Sequence, residues 1–225
     1  IERQPMSVVL IDLKLGDMSG LDVLRGVKAF SPDSECILLT GNASQASAIQ
    51  AIQMGAFGYI QKPFEVDQIV LSVQRAADKY LSTLALRESE EKYRRLFDRA
   101  SLGIFQSTPQ GKVISVNPAF ARMFGYDSIE DAVQSIRNVA TDLFVDPNRR
   151  AEIIRMMEEN PGLRSFENVY RRKDGSTFIG NLNTMPVMDT NRQLIRVEGI
   201  IEDITKRKQL ETAKQAQLQI SLFSD

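Results

Sequence analysis

The chain has 225 residues, 43% hydrophobic and 25% charged, with a net charge of −1, which suits one large domain or two of about 100–150 residues each. Near-neutral charge without a dense Lys/Arg stripe gives no footprint for nucleic acid, and no apolar run approaches the ~20 residues of a membrane-spanning helix. Histidine is absent and Cys36 is the one cysteine, which removes His-ligated haem, most zinc sites, Ser-His and Cys-His pairs and a phospho-donor histidine, and fits a reducing cytoplasm.

Residues 7–12 (Ser-Val-Val-Leu-Ile-Asp) run apolar without alternation and end on a carboxylate, the pattern of a strand covered on both faces. After a loop bracketed by Gly16 and Gly20, residues 20–30 place Leu21, Leu24 and Val27 at helical spacing. Residues 36–40 predict a second buried strand, and residues 44–54 a second helix with Ala48, Ile49 and Ile52 inward. Residues 57–60 predict a third strand, and Val66 opens a third helix. Strands alternating with helices of about ten residues predict βαβ units in an α/β doubly wound parallel sheet. From Glu65 to Ala100 there is no Gly or Pro. Ile69, Val73, Ala76, Tyr80, Leu84, Leu86, Leu96 and Phe97 predict one long, stiff helix there, with Ser82-Thr83 as the place for a break.

The second half changes character. Residues 103–116 carry a Thr-Pro-Gln-Gly turn between two β-rich runs. Residues 117–126 and 147–160 read as helices, the first opening on Asn117-Pro118, an N-cap followed by proline in the first turn. Strands follow, split by the hairpin signal at Lys173-Asp-Gly175 and by Asp189-Thr-Asn191, and a last strand covers 195–204. This predicts an α+β domain with an antiparallel sheet. Beyond Thr205, Leu210, Ala213 and Ile220 recur at coiled-coil-like spacing. The expected boundaries are a first domain over 1–80, a helical linker over 81–97, a second domain over 98–205 and the start of a coiled-coil output helix over 206–225.

Reactive groups in open α/β sheets gather beyond the carboxyl ends of the strands. Asp12 ends the first predicted strand, Thr40 the second, and Lys62 follows the third, so the three are expected in one pocket. Asp12 can accept a phosphoryl group as an acyl phosphate. The Thr40 hydroxyl can hydrogen-bond a phosphoryl oxygen and the Lys62 ammonium can neutralise its charge. Lys62-Pro63 is a place for a cis peptide. The plain alternative makes Asp12 a cap or turn residue. Aspartyl phosphohydrolases of the haloacid-dehalogenase type want a second Asp two residues on, where Lys14 stands.

Residues 8–12, 15–20 (Leu-Gly-Asp-Met-Ser-Gly), 37–41 and 55–64 (Gly-Ala-Phe-Gly-Tyr-Ile-Gln-Lys-Pro-Phe), in that order and spacing, resemble the later three-fifths of a response-regulator receiver domain, a flavodoxin-like fold. The resemblance implies Asp12 as phospho-acceptor, Thr40 as switch hydroxyl, Tyr59 as the aromatic that moves with it, and Lys62 as phosphate partner. It also implies Mg²⁺ held by Asp12 and the Lys14 backbone carbonyl, and a histidine kinase or phosphotransfer protein as partner. Gly16 stands where the family usually has proline. Receivers add an acidic pair on their first strand, which this chain lacks, so the domain is expected to be incomplete, with its first two strands missing and residues 8–11 left as an apolar edge. Mg²⁺ binding and Asp12 phosphorylation are accordingly expected in the intact parent and not in this chain alone.

Residues 90–97, 103–105, 116–126, 170–176 and 198–205 are similar to a PAS domain of the sensor-kinase kind, over nearly all of 89–208. Its Asp203-Ile-Thr205 ending resembles the joint where such modules pass their state to an output helix, and Asp203 and Thr205 can cap that junction. No haem and no flavin adduct is expected, since Cys36 lies in the other half, and the PAS ligand is unknown. Leu102, Ile104, Phe105, Phe124, Phe144, Ile154, Phe166, Ile179, Leu182 and Met185 either line a cavity or form ordinary core. Residues 171–173 read as a solvated hairpin or an anion site.

The favoured function is phosphorelay signalling by a cytoplasmic homodimer paired through residues 65–97 and 206–222, the alternative being that these helices pack back on their own domains. Two rival functions stay open. One is a ligand-sensing PAS dimerisation module with a non-phosphorylatable receiver remnant. The other is the regulatory part of a sensor histidine kinase or cyclic-nucleotide-forming enzyme whose catalytic domain lies beyond residue 225.

Overall fold

The apolar run at the start of the chain becomes β1 (Val8–Asp12), the first of three parallel strands in a computed structural model that describes residues 6–16, 18–41 and 45–222. A short antiparallel ribbon, β2 (Lys14–Leu15) and β3 (Met18–Ser19), leads into α1 (Gly20–Phe30). Then come β4 (Glu35–Thr40), α2 (Gln45–Gln53), β5 (Gly58–Gln61) and α3 (Val66–Arg99). Strand order is β1-β4-β5, with Val8 opposite Glu35 and Ile37 opposite Gly58. The chain divides into two units, residues 1–92 and 93–225, and each has its own core.

In the first unit the sheet is covered on both faces. Ile11, Cys36 and Leu38 pack with Leu24 of α1 and Ala51 of α2. Ile37 and Ile60 point the other way, onto Ile69, Val73 and Ala76 of α3. This is the doubly wound arrangement the continuous apolar runs predict. β1 is an edge strand, and its Leu10 is exposed. Two expectations need correction. Ile49 and Ile52 of α2 are half-exposed, and Ala51 and Met54 face the core instead; Ala48 lies outside the described side chains. The break at Ser82-Thr83 does not occur. Both hydroxyls donate to carbonyls four residues back, at 2.8 Å to Asp78 and 3.0 Å to Lys79, so the helix runs through them unbroken.

The second unit starts with β6 (Gly103–Ser107) and β7 (Val113–Val116), then α4 (Pro118–Phe124), α5 (Ile129–Ser135), α6 (Val139–Asp142) and α7 (Pro147–Glu159). It continues with β8 (Arg164–Arg171), β9 (Thr177–Met188), β10 (Leu194–Asp203) and α8 (Thr205–Leu222). The sheet is antiparallel in the order β7-β6-β10-β9-β8. Residues 223–225 of the expected output helix lie outside the described residues. Strand β9 alternates buried and half-buried positions along most of its length, as a sheet with one covered face requires. On that face Phe124 meets Phe120 at 4.5 Å, Phe178 at 5.1 Å and Tyr170 at 5.9 Å between ring centroids. Gly180 leaves the room for this: a Cβ there would lie 2.7 Å from the Tyr170 ring. Helices α5 and α6 were not anticipated; they are short and begin on the caps Ser128 and Asn138.

Asn117 organises the entrance to this unit and is fully buried. Its Oδ1 accepts the amides of Ile104 and Phe120, both at 2.9 Å. Its Nδ2 donates to the carbonyls of Phe97 (3.1 Å) and Leu102 (2.9 Å). The expected N-cap of α4 therefore also holds β6 and the last turn of α3.

Candidate functional site

Because β1, β4 and β5 run parallel, their carboxyl ends share one rim, and Asp12, Thr40 and Lys62 all lie there. Asp12 faces Leu39 in register, the Leu13 amide bonds the Leu39 carbonyl at 2.8 Å, and the Lys62 amide bonds the Thr40 carbonyl at 2.7 Å. The Lys62 ammonium forms an ion pair with Asp12 Oδ2, and the Lys14 amide donates to Asp12 Oδ1 at 3.1 Å. The hydrogen bond from Lys62, and after it the one from the Lys14 amide, lowers the Asp12 pKa below the ordinary carboxylate value. Asp12 keeps 31% of its side-chain surface and Lys62 41%, so the pair is reachable from solvent. Thr40 is buried beside it. Tyr59 sits opposite Leu38 on the neighbouring strand, which puts it on the same sheet face as Thr40 (paired residues share a face and alternate ones repeat it), and its ring is half-exposed. The Lys62–Pro63 peptide is cis.

The loop after Asp12 turns back tightly. The Gly20 amide bonds the Leu13 carbonyl at 3.0 Å, and a Cβ on Gly20 would lie 2.3 Å from the Asp12 carbonyl oxygen. Glycine is the residue that fits this approach. The ribbon β2–β3 forms the turn and orients the Lys14 amide toward Asp12.

For Mg²⁺, an octahedral cation that favours carboxylate oxygens, this rim offers one carboxylate already engaged by an ammonium. Among the described residues no group of three or more His, Cys, Asp or Glu could hold a metal ion. The described donors do not make a magnesium site, with or without the Lys14 carbonyl.

In the second unit a cavity of about 30 Å³ lies between the sheet and helices α4, α6 and α7, room for a water or two by the usual measure. Of the ten residues expected as lining or core, Phe105, Phe124, Phe144 and Leu182 border it. Phe166 and Ile154 pack against the core, and Ile104 and Met185 border a groove with Glu198 and Ile200. Among the bordering residues that were not anticipated is one charged side chain, Arg150, buried at the start of α7. In its polar run, Pro-Asn-Arg-Arg-Ala-Glu, nothing marks it as an inward residue.

The β10–α8 junction is built as Asp203 and Thr205 suggest. Asp203 Oδ1 accepts the Thr205 amide and Thr205 Oγ1 accepts the Ile179 amide, both at 2.9 Å. Arg172 adds an ion pair with Asp203 (2.8 Å) and lies 4.4 Å over the Phe178 ring. Lys173 pairs with Asp131 at 2.6 Å. Arg171, Lys173 and the turn after them are exposed, as expected of a solvated hairpin, with Arg172 and Lys173 also paired to acidic partners.

Comparison with known proteins follows this division. Residues 1–74 match the family model "Response regulator receiver domain" and residues 101–206 match "PAS domain". The chain is 42% identical over 72 residues to the C4-dicarboxylate transport transcriptional regulatory protein DctD of Rhizobium meliloti, covering 32% of this chain and 16% of that protein. It is 38% identical over 79 residues to the acid tolerance regulatory protein ActR of Sinorhizobium medicae, covering 35% and 41%. The chain thus spans less than half the length of either relative. A PAS domain crystal structure from Colwellia psychrerythraea aligns with 52% of this chain and 97% of its own, at 28% identity and a TM-score of 0.44. By its two family matches, the chain is a response regulator receiver domain followed by a PAS domain, joined by the long helix α3.

Proposed function

We propose that this chain works in two-component phosphorelay signalling, with Asp12 as the phospho-acceptor. The observation that carries the reading is the Asp12–Lys62 ion pair at the strand rim, with Thr40 one strand away. An Asp12 carboxylate oxygen attacks the phosphorus of a donor's phosphohistidine, and an acyl phosphate forms as the phosphorus–nitrogen bond breaks. The Lys62 ammonium, already beside Oδ2, stays to pair with the transferred phosphoryl group. The Thr40 hydroxyl turns to a phosphoryl oxygen, and the Tyr59 ring follows into the space that Thr40 leaves. New charge-assisted bonds of this kind bias a two-state surface. The receiver family is generally Mg²⁺-dependent, so the ion belongs in the assay.

In the same reading the kinase partner and this chain meet in the cytoplasm, consistent with the lone, unbridged Cys36. No described helix is long and apolar enough to cross a membrane. The chain pairs with a second copy through α3 and α8, supported by exposed Leu81, Leu86 and Leu96 on α3 and Leu210 on α8. The test is phosphoryl labelling of the full-length gene product by acetyl phosphate with Mg²⁺. Wild type should label and Asp12→Asn should not; equal labelling of the two sinks the assignment.

A further inference from the structure

A carboxylate stands in the apolar layer between β4 and α3. Glu35 opens β4 and, two residues before Ile37, shares its face, where Ile37, Ile60 and Ala76 form the core with Phe57 and Val73 against them. Glu35 is 5% exposed. Its Oε1 pairs with the Lys79 ammonium at 2.9 Å, and its Oε2 has no hydrogen-bond partner among the described residues. Lys79 lies about one turn of α3 beyond Ala76, and its ammonium also sits 5.5 Å over the Phe57 ring. A buried carboxylate with one oxygen unpartnered is costly to keep, and an apolar side chain of similar size would carry no such cost. Stability of the core therefore does not account for Glu35.

A second pair repeats the arrangement further along the helix. Arg87 returns to the face of Ala76 about three turns later, and its Nη1 meets Asp33 Oδ2 at 3.0 Å. Asp33 and Glu35 belong to one short segment at the amino end of β4, away from the rim that holds Asp12. The apolar core contacts of α3 in this unit are Ile69, Val73 and Ala76, and both ion pairs lie beyond them. The two holds differ in kind. Glu35 is out of water, so loss of Lys79 would strand a buried charge. The Arg87–Asp33 pair is exposed, and Arg87 also reaches Glu91 at 3.4 Å, so salt screens it.

We propose that Glu35 and Asp33 form a docking clamp for the helix that leaves the receiver, with an inner anchor at Lys79 that fixes its register and an outer one at Arg87 that opens and closes. Residues 80–88 move with the receiver while both pairs are closed, and leave it when the outer pair opens. Glu35 is a positioning residue that acts through Lys79. The clamp goes beyond the phosphoryl chemistry and is independent of it, since it stands at the other end of the sheet.

The test follows amide hydrogen exchange in the whole, unphosphorylated chain, with β4 and β5 as the internal reference. Glu35→Leu should speed exchange of amides 80–88 at least about tenfold, the scale of a lost charged contact, and leave β4 and β5 as slow as before or slower. Asp33→Arg should speed exchange at 84–88, and adding Arg87→Asp should restore it. Unchanged exchange at 80–88 in Glu35→Leu overturns the proposal. So does faster exchange in β4 and β5 together with the helix, because that makes Glu35 a plain part of the core fold. Failure of the reversed pair to restore protection removes the outer anchor, and the proposal with it. Should Glu35→Leu fail to fold, the Asp33–Arg87 reversal decides alone.

Discussion

The Asp131 carboxylate collects three donors: the Lys173 ammonium at 2.6 Å, the Asp127 amide at 3.0 Å and the Ser135 hydroxyl at 2.9 Å. The first of these does most to hold its pKa at about 2, against an ordinary value of 3.8. A carboxylate with a depressed folded pKa contributes stability at pH values above its unfolded pKa. That contribution is intact at neutral pH and disappears as pH falls from 3.8 toward 2. Carboxyl-carbon NMR should place the Asp131 midpoint near 2, and Lys173→Ala should return it toward 3.8; an unshifted wild-type midpoint would refute the pairing. At this same scale the rim positions were readable in advance, because Asp12 and Thr40 end, and Lys62 follows, short apolar strand runs. Arg150 was not, since burial of an arginine is decided by what packs around it and leaves no periodic trace in a polar stretch.

Among the elements, the strands and long helices follow the sequence pattern closely, and the exceptions have physical causes. In α2 the apolar residues nearly encircle the helix, so periodicity cannot choose between Ile49 with Ile52 and Ala51 with Met54; the sheet admits the smaller alanine. The two-residue strands β2 and β3 are too short to alternate. Helices α5 and α6 rest on caps more than on apolar stripes. Helix α3 makes its own prediction. Its inward residues in the first unit are Ile69, Val73 and Ala76, and Phe97 is tied to Asn117 in the second, which leaves the stretch around Leu84 held by its own backbone bonds and the exposed Arg87–Asp33 ion pair. Leu84→Pro should cost about 3 kcal/mol of helix stability or more. Circular dichroism should show the lost helix, while the methyl signals of Leu182 and Ile201 keep their native positions. Collapse of those signals would show that the PAS core depends on an intact α3.

For the whole molecule, the order receiver, helix, PAS, helix was legible because the hydrophobic pattern changes character near residue 100 from continuous to alternating. What the pattern could not supply is which exposed stripe meets which partner. The proposed pairing of two chains predicts a dimer by sedimentation equilibrium and a monomer for Leu86→Arg, which buries a charge if the stripe is an interface and is harmless if it is solvent-exposed. A wild-type monomer would dismiss the pairing without touching the Asp12 chemistry.

One carboxamide gives this architecture an unusual dependence. Asn117 bonds the end of α3 through one atom and the opening amides of β6 and α4 through the other, and α4 carries the Phe120 and Phe124 walls of the cavity. The Phe97 carbonyl lies in the last turn of α3, so that turn cannot shift without breaking or carrying the Asn117 bond. One buried side chain thus ties the last turn of the connector to a helix that forms a wall of the cavity.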